Sequence, residues 1–300
     1  MGAALHCFAA TVICFTATVS LFTATVIPFL AIVISFFSNG NCSEPTLPGR
    51  IIKALTHMRY FITLSYDGTN YHGWQVQPGA DSVQARLNDA LTKLLGGETT
   101  ECVGAGRTDA GVHASMMVAH FDTEREIDCD QFTFRLNRIV PRDIAVERVE
   151  RVAETMHARF SATSRSYHYY VYTKKNPYRR HYATQLHFVP DYEAMNRAAA
   201  VLLETEDFTS FSKLNNDQKT NICHVTRAQW VSVGDDMWRF EITANRFLRN
   251  MVRAVVGTLL EVGRGRMSLD EFRDVIAKKD RCSAGESVPG NALFLVDIKY

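Results

Sequence analysis

Gly104-Ala105-Gly106-Arg107-Thr108-Asp109-Ala110-Gly111-Val112-His113 places three glycines, one acid and one strong base in a single short stretch. Glycine has no Cβ and tolerates left-handed dihedrals, so backbone in such a loop approaches a ligand closely. An arginine beside the carboxylate favours its charged form. A charged Asp in a tight, accessible bend is a candidate covalent nucleophile. Read alone, the stretch also fits a solvated turn with a surface Arg–Asp pair, worth about 0–1 kcal/mol.

Outward from this loop the chain alternates strand and helix signals. Tyr60, Ile62, Leu64 and Tyr66 recur with period two, then Asp67-Gly68-Thr69-Asn70 breaks the strand. Asp81-Ser82 caps a helix with Val83, Leu87, Leu91 and Leu94 on one face, ending at Gly96-Gly97. Beyond the loop, Met117–Phe121 reads as a strand, 130–139 as a helix, Pro141-Arg142-Asp143 as a turn and Ile144–Val149 as a strand. A second half repeats the grammar, with a strand over Tyr167–Tyr172 and a helix over Tyr192–Leu203. Trp230–Val233 and Trp238–Thr243 flank Gly234-Asp235 as a hairpin. The strongest helical pattern spans Phe247 to about Val262, with Leu248, Met251, Val252, Val255, Val256, Leu259 and Leu260 in one stripe before Gly263 and Gly265. Leu293–Ile298 reads as a closing strand. Adjoining strands with a few long helices predict an α+β fold. Two similar halves, 58–160 and 161–300, are expected to share a mostly antiparallel sheet flanked by helices, with a cleft between them.

Composition narrows the partners. The chain has 300 residues, 33 Lys and Arg against 32 Asp and Glu, and a formal charge of +1. Global charge therefore does not announce nucleic acid, and any RNA site must be a local basic patch. The seven cysteines, at 7, 14, 42, 102, 129, 223 and 282, show no CxxC and no metal-ligand spacing with histidine. They read as thiols of a reducing compartment, with no metal expected. Residues 1–57 are different: no charged residue precedes Glu44, and Phe15–Val19 nearly repeats as Phe22–Val26. The uncharged apolar run meets the length of a membrane span. It lacks the basic leader of a signal peptide and has only Arg50 and Lys53 as a basic flank. The favoured reading is a translation start at Met58, with a membrane anchor as the alternative.

Further motifs carry two readings each. Tyr66-Asp67-Gly68-Thr69-Asn70-Tyr71-His72-Gly73-Trp74-Gln75 offers aromatics and amides suited to RNA bases, or a structural turn with Trp74 in the core. Arg159, Arg165, Lys174, Lys175, Arg179 and Arg180 surround a Tyr-rich strand, as phosphate contacts or as a solvated strand edge. Tyr167 opens that strand and is either a base-stacking ring or an ordinary cross-strand aromatic. Arg249 and Arg253 lie four apart on the last long helix, and Arg253 falls inside its apolar pattern. A partly buried arginine needs an acidic partner, and Asp109 is the attractive one. His72, His113 and His120 have no metal-triad spacing and read as structural.

Together these blocks resemble the bacterial tRNA pseudouridine synthase A family from Met58 to Tyr300. Besides the two loops quoted, the matching blocks are Ala158-Arg159-Phe160-Ser161-Ala162 leading to Tyr167, Asp207–Phe211, Phe247-Leu248 with Met251-Val252-Arg253, and Ala292–Leu295. Two departures stand out: residues 1–57 have no family counterpart, and Ser283–Asn291 is unusually polar before the last strand. The resemblance implies a pseudouridine synthase fold and conversion of uridine to pseudouridine in the anticodon stem–loop of tRNA. It implies no cofactor, no metal, a cytoplasmic location and a homodimer, with membrane association only if residues 1–57 are an anchor. It puts the catalytic aspartate on Asp109 and the substrate-stacking tyrosine on Tyr167. The arginine of the aspartate loop falls on Arg107, and the helix arginine paired to the aspartate on Arg253. Two other classes remain at this point. One is a tRNA-binding module without catalysis. The other is a glycosidase, which would need two carboxylates flanking the bond where the loop holds one.

Overall fold

The computed structural model describes residues 57–300 apart from 214–219 and 235. The apolar segment at 1–57, with its competing start-site and anchor readings, thus lies outside the described residues except for His57. Among the described residues, no helix is long and apolar enough to cross a membrane.

Period-two alternation becomes β1 (Met58–Tyr66), with Tyr60, Ile62 and Leu64 buried. Ser82 caps α1 (Val83–Leu94) by accepting from the Ala85 N–H, leaving Val83, Leu87 and Leu91 in the core. A short β2 (Val103–Gly104) precedes β3 (His113–Thr123), and Asp128 caps α2 (Cys129–Ile139) ahead of β4 (Ile144–Val152). The second half holds β5 (Ser164–Tyr172), β6 (Thr184–Gln185) and α3 (Tyr192–Val201), capped by Asp191. The β7 (Val225–Gly234) and β8 (Met237–Ala244) hairpin leads to α4 (Met251–Gly263), α5 (Leu269–Lys278) and β9 (Leu293–Lys299). Ser268 and Glu271 close a reciprocal capping box on α5.

All strands join one sheet in the order β4-β1-β3-β9-β5-β8-β7, with β2 beside β3 and β6 beside β5. Pairing is antiparallel except at β3–β9 and β5–β6. The α+β class with a mostly antiparallel sheet flanked by helices is thus the architecture observed. The β3–β9 junction is brief: His113 pairs with Phe294 and Ala114 with Leu295. Strand β9 then runs along β5 from Leu293 to Lys299, tying the amino-terminal strands to the carboxy-terminal ones.

The outer strands β4 and β7 would present bare backbone groups, a known liability of sheet edges. Each is met by an asparagine from the preceding helix. Asn137 on α2 donates to the Val146 carbonyl at 2.7 Å and accepts from the Val146 N–H at 2.8 Å. Asn196 on α3 does the same to Trp230, at 3.2 and 2.7 Å.

Two helix boundaries differ from expectation. The apolar stripe predicts a helix from Phe247, yet α4 begins at Met251, after Asn250 at φ 67°. Leu248 is buried and accepts from the Met251 N–H as part of a turn. Apolar spacing reports burial, which continues through this turn, and is blind to the left-handed residue that breaks the helix. Arg249 is consequently not on the helix but on the exposed turn before it. The helix expected over Tyr192–Leu203 closes two residues early, as the Leu202 N–H turns back to Ala199.

Candidate active site

The Asp109 loop joins β2 to β3, and its shape is imposed by close backbone approach from the segment after β1. Gly73 sits at φ +91°, and a Cβ there would lie 2.2 Å from the Thr108 carbonyl oxygen. A Cβ on Gly104 would strike the Trp74 ring at 2.5 Å, so that indole fills the space beneath the loop. The Trp74 N–H donates to the Thr108 carbonyl, the Gly111 N–H to Tyr71, and the Gly68 N–H to His113 Nδ1 at 3.0 Å. Tyr66 and Thr108 hydroxyls share a buried hydrogen bond of 2.9 Å. Tyr66, Tyr71 and Trp74 are all buried. The buried Tyr66, Tyr71 and Trp74 give this segment its scaffolding role, while Asn70, His72 and Gln75 of its aromatic and amide set are exposed.

Histidine 113 is buried and also structural. Its Nδ1 accepts from Gly68, which leaves Nε2 to donate to the Asn291 carbonyl at 3.1 Å. Asp67 Oδ1 lies 3.1 Å from the same Nδ1. His120 is buried as well, accepting from the Ala158 N–H at 3.2 Å.

On this scaffold Asp109 meets Arg253 from α4. Arg253 Nη1 donates to Asp109 Oδ2 at 3.1 Å, and both side chains keep about a quarter of their surface exposed, 23% and 25%. Asp109 Oδ1 has no hydrogen bond among the described residues. Arg253 is itself anchored: its Nε donates to the Val288 carbonyl at 2.7 Å, while the Val288 N–H donates to the Arg253 carbonyl at 3.2 Å.

Val288 belongs to a strap, 281–292, whose importance sequence reading missed. Gly285 donates to Thr258 Oγ1 at 2.9 Å, and Gly257 has no room for a Cβ because the Glu286 carbonyl would lie 1.8 Å away. Asn250 and Arg281 both donate to Ser287 Oγ, at 2.6 and 2.8 Å. At the other end Gly290 abuts the Ala110 carbonyl, where a Cβ would be 2.6 Å away. The strap therefore touches both the arginine helix and the aspartate loop. Its sequence traces are the polar run Ser283–Asn291 and the pair Gly285 and Gly290, and period-based reading assigns neither a role.

Tyr167 lies in β5, buried and near enough to Asp109 to feel its charge, with its ring edge-on to Phe247 at 5.1 Å between centroids. Burial pushes its phenol up to about 12, and the Asp109 carboxylate adds to the rise against the opposing pull of Arg165. It is thus a neutral hydroxyl at any physiological pH.

The expected basic residues separate into different roles. Arg107 is exposed and has no ion-pair partner among the described residues, so the aspartate's partner is Arg253 and not its own loop neighbour. Arg165 is an internal brace: it donates to the carbonyls of Ala162, Asn245, Ala105 and Arg159. Arg179 pairs with Asp236 at 2.9 Å and lies over the Tyr172 ring. Arg159, Lys174, Lys175, Arg180 and Arg249 are exposed.

A carboxylate with one oxygen held and one free among the described residues, a buried aromatic near it and exposed arginines on adjoining turns suits an anionic, planar substrate. Comparison with known proteins agrees in kind. Residues 62–161 and 198–300 match the model of a family described as tRNA pseudouridine synthase. The chain is similar to tRNA pseudouridine synthase A of Bacteroides thetaiotaomicron, 58% identical over 244 residues, covering 81% of this chain and 90% of the relative. It is likewise similar to the proteins of that name from Bacteroides fragilis and Parabacteroides distasonis, each 56% identical over 243 residues, 81% of this chain and 96% of the relative. The chain belongs to the tRNA pseudouridine synthase family.

Proposed function

We propose that this member of the tRNA pseudouridine synthase family isomerises uridine to pseudouridine in the anticodon stem–loop of tRNA, as a cytoplasmic homodimer needing no cofactor. The reaction breaks the C1′–N1 bond and forms a C1′–C5 bond to the same base, so the uracil turns while still held. A stacked, paired base cannot turn, and extruding it costs a few kcal/mol. The observation that carries the reading is the Asp109–Arg253 pair: a carboxylate fixed at 3.1 Å by one guanidinium nitrogen, with its other oxygen unbonded among the described residues.

Attack on the sugar carbon, attack on the ring, or removal of a ribose proton all need a carboxylate in that place. Arg253 holds it there through the 3.1 Å hydrogen bond to Oδ2. Tyr167 stacks against the extruded uracil, and its neutral hydroxyl donates rather than accepts a proton. Arg107 and Arg249, exposed on turns flanking the pair, meet phosphates of the distorted strand.

The test is an isomerisation assay on an unmodified tRNA transcript, comparing the wild-type chain with Asp109→Asn. The amide keeps the shape and removes the charge. Turnover is expected to fall by at least about a thousandfold while tRNA affinity stays within a few-fold, since electrostatic and nucleophilic groups contribute on that scale. Normal turnover by the variant would refute the role of Asp109. Tight tRNA binding with no isomerisation by the wild type would leave a binding module.

A further inference from the structure

The turn between β4 and β5 holds an aromatic ring out of the protein with unusual care. Phe160 is 77% exposed. Single exposed apolar side chains are common and need no explanation. This one differs in how its backbone and ring are fixed. His157 Nδ1 accepts from the N–H groups of both Arg159 and Phe160, at 3.0 and 3.3 Å. Ser161 Oγ accepts from the His157 N–H at 2.9 Å, and the Ser161 N–H returns to the His157 carbonyl at 2.9 Å. The Ala158 carbonyl accepts from the Tyr300 hydroxyl at 2.7 Å. The imidazole of His157 braces the phenyl ring at 4.4 Å between centroids, and the Arg159 guanidinium lies 5.6 Å from the ring centre. These contacts order a hydrophobic side chain that gains almost no burial from being ordered.

The turn is also tied to the active site. One nitrogen of Arg165, Nη2, donates to the Arg159 carbonyl at 2.5 Å and to the Ala105 carbonyl at 3.1 Å. Ala105 opens the loop that carries Arg107 and Asp109, and Arg165 stands two residues before Tyr167. The exposed ring, the exposed arginine and the aspartate loop therefore share a single brace.

We propose that Phe160 and Arg159 form a nucleotide subsite next to the active site, where an unpaired base of the RNA substrate stacks on the Phe160 ring and an adjoining phosphate pairs with Arg159. A preordered ring costs the complex little entropy, and stacking needs no particular base because every base has a π-face. The subsite would hold a neighbour of the reacting uridine while that uridine is out of the stack. It rests on the RNA-modifying function proposed above.

Binding of an unmodified tRNA transcript by fluorescence anisotropy, with kcat and KM for isomerisation, tests it in four variants. Phe160→Ala is expected to weaken affinity and raise KM about tenfold with kcat nearly unchanged, the scale of one lost base–aromatic stack. Phe160→Trp restores both, and its added indole emission, taken as a difference from wild type, is quenched by the transcript. Arg159→Gln lowers affinity and reduces the slope of log affinity against log salt by about one phosphate contact. Phe134→Ala, which removes a ring 66% exposed on α2, changes nothing and serves as the control. Wild-type affinity and KM in Phe160→Ala would overturn the subsite. So would a change in the sedimentation of the free chain, which would show the ring covering a second copy instead of RNA. Binding that depends on Phe160 in a wild-type chain that fails to isomerise would keep the subsite and sink the catalytic assignment.

Discussion

Asn137 and Asn196 finish the two outer strands of the sheet in the same way, each exchanging two hydrogen bonds with one residue of the edge backbone. The middle of the sheet, where β3 meets β9, is built on other terms. There the ladder is only two residue pairs long, and the polar groups are taken up by loops packed at glycine distances. The rims use a side chain that reaches across a gap, so a change there leaves the rest of the molecule in place. The middle uses backbone against backbone, with nothing flexible to absorb a change, and that is where Asp109 stands. The aspartate is positioned by the least adjustable part of the fold.

The contrast can be broken most severely at Gly73. Gly73→Ala puts a methyl 2.2 Å from the Thr108 oxygen at a φ of +91°. Stability to urea is expected to fall by about 3 kcal/mol or more, and turnover with it, because the displaced residue adjoins Asp109. An alanine variant with an unchanged urea midpoint would mean the loop is softer than its packing implies.

Acid sharpens the comparison next. On β3, burial brings His120 from 6.5 down to about 4, with the nearby charges of Arg59 and His157 adding to the drop. On β5, burial and then Arg239 lower His168 as well. The unfolded chain binds these protons where the native one does not. The contribution of His120 is therefore complete above pH 6.5 and lost as pH falls from there towards 4. The loss at the lower limit is on the order of 3 kcal/mol. His120→Gln, which still accepts from Ala158 but does not titrate, should flatten stability against pH in that window. An unaltered slope would take the histidine out of the account.

The smallest effects belong to the rims. Asn137→Ala and Asn196→Ala should each cost about 1–3 kcal/mol, by leaving one N–H of a buried edge residue unsatisfied, with kcat unchanged. Val146 and Trp230 are comparably buried, so similar losses are expected from the two variants. A large drop in turnover from either would show the rims coupled to the middle.

Much of this was readable beforehand. The loop composition around Asp109, the apolar setting of Arg253 and the leading position of Tyr167 singled those residues out, and family resemblance sharpened their roles. Period and the Ser82 cap predict most of the strands and α1, whereas neither predicts α5, whose Ser268 capping box only the structure reveals. What stayed hidden depended on main-chain atoms or on distant pairing. Nothing in the spelling of Arg165 says that it bonds four carbonyls instead of a phosphate, and Asn250 does not announce a positive φ. Trp74 was open to two readings because only the missing Cβ of Gly104 shows where its ring goes.

The reciprocal link between Arg253 and Val288 carries a consequence for how such a site drifts over time. The Val288 carbonyl steadies the guanidinium and the Val288 N–H steadies the main-chain carbonyl of Arg253, and both groups are present whatever side chain occupies position 288. The Val288 side chain answers separately to its burial in the core, so one apolar residue can replace another there while the mechanical duty stays fixed. Only an alteration of the main chain itself, a proline or an ester in place of the peptide N–H, would expose how much the aspartate owes to it.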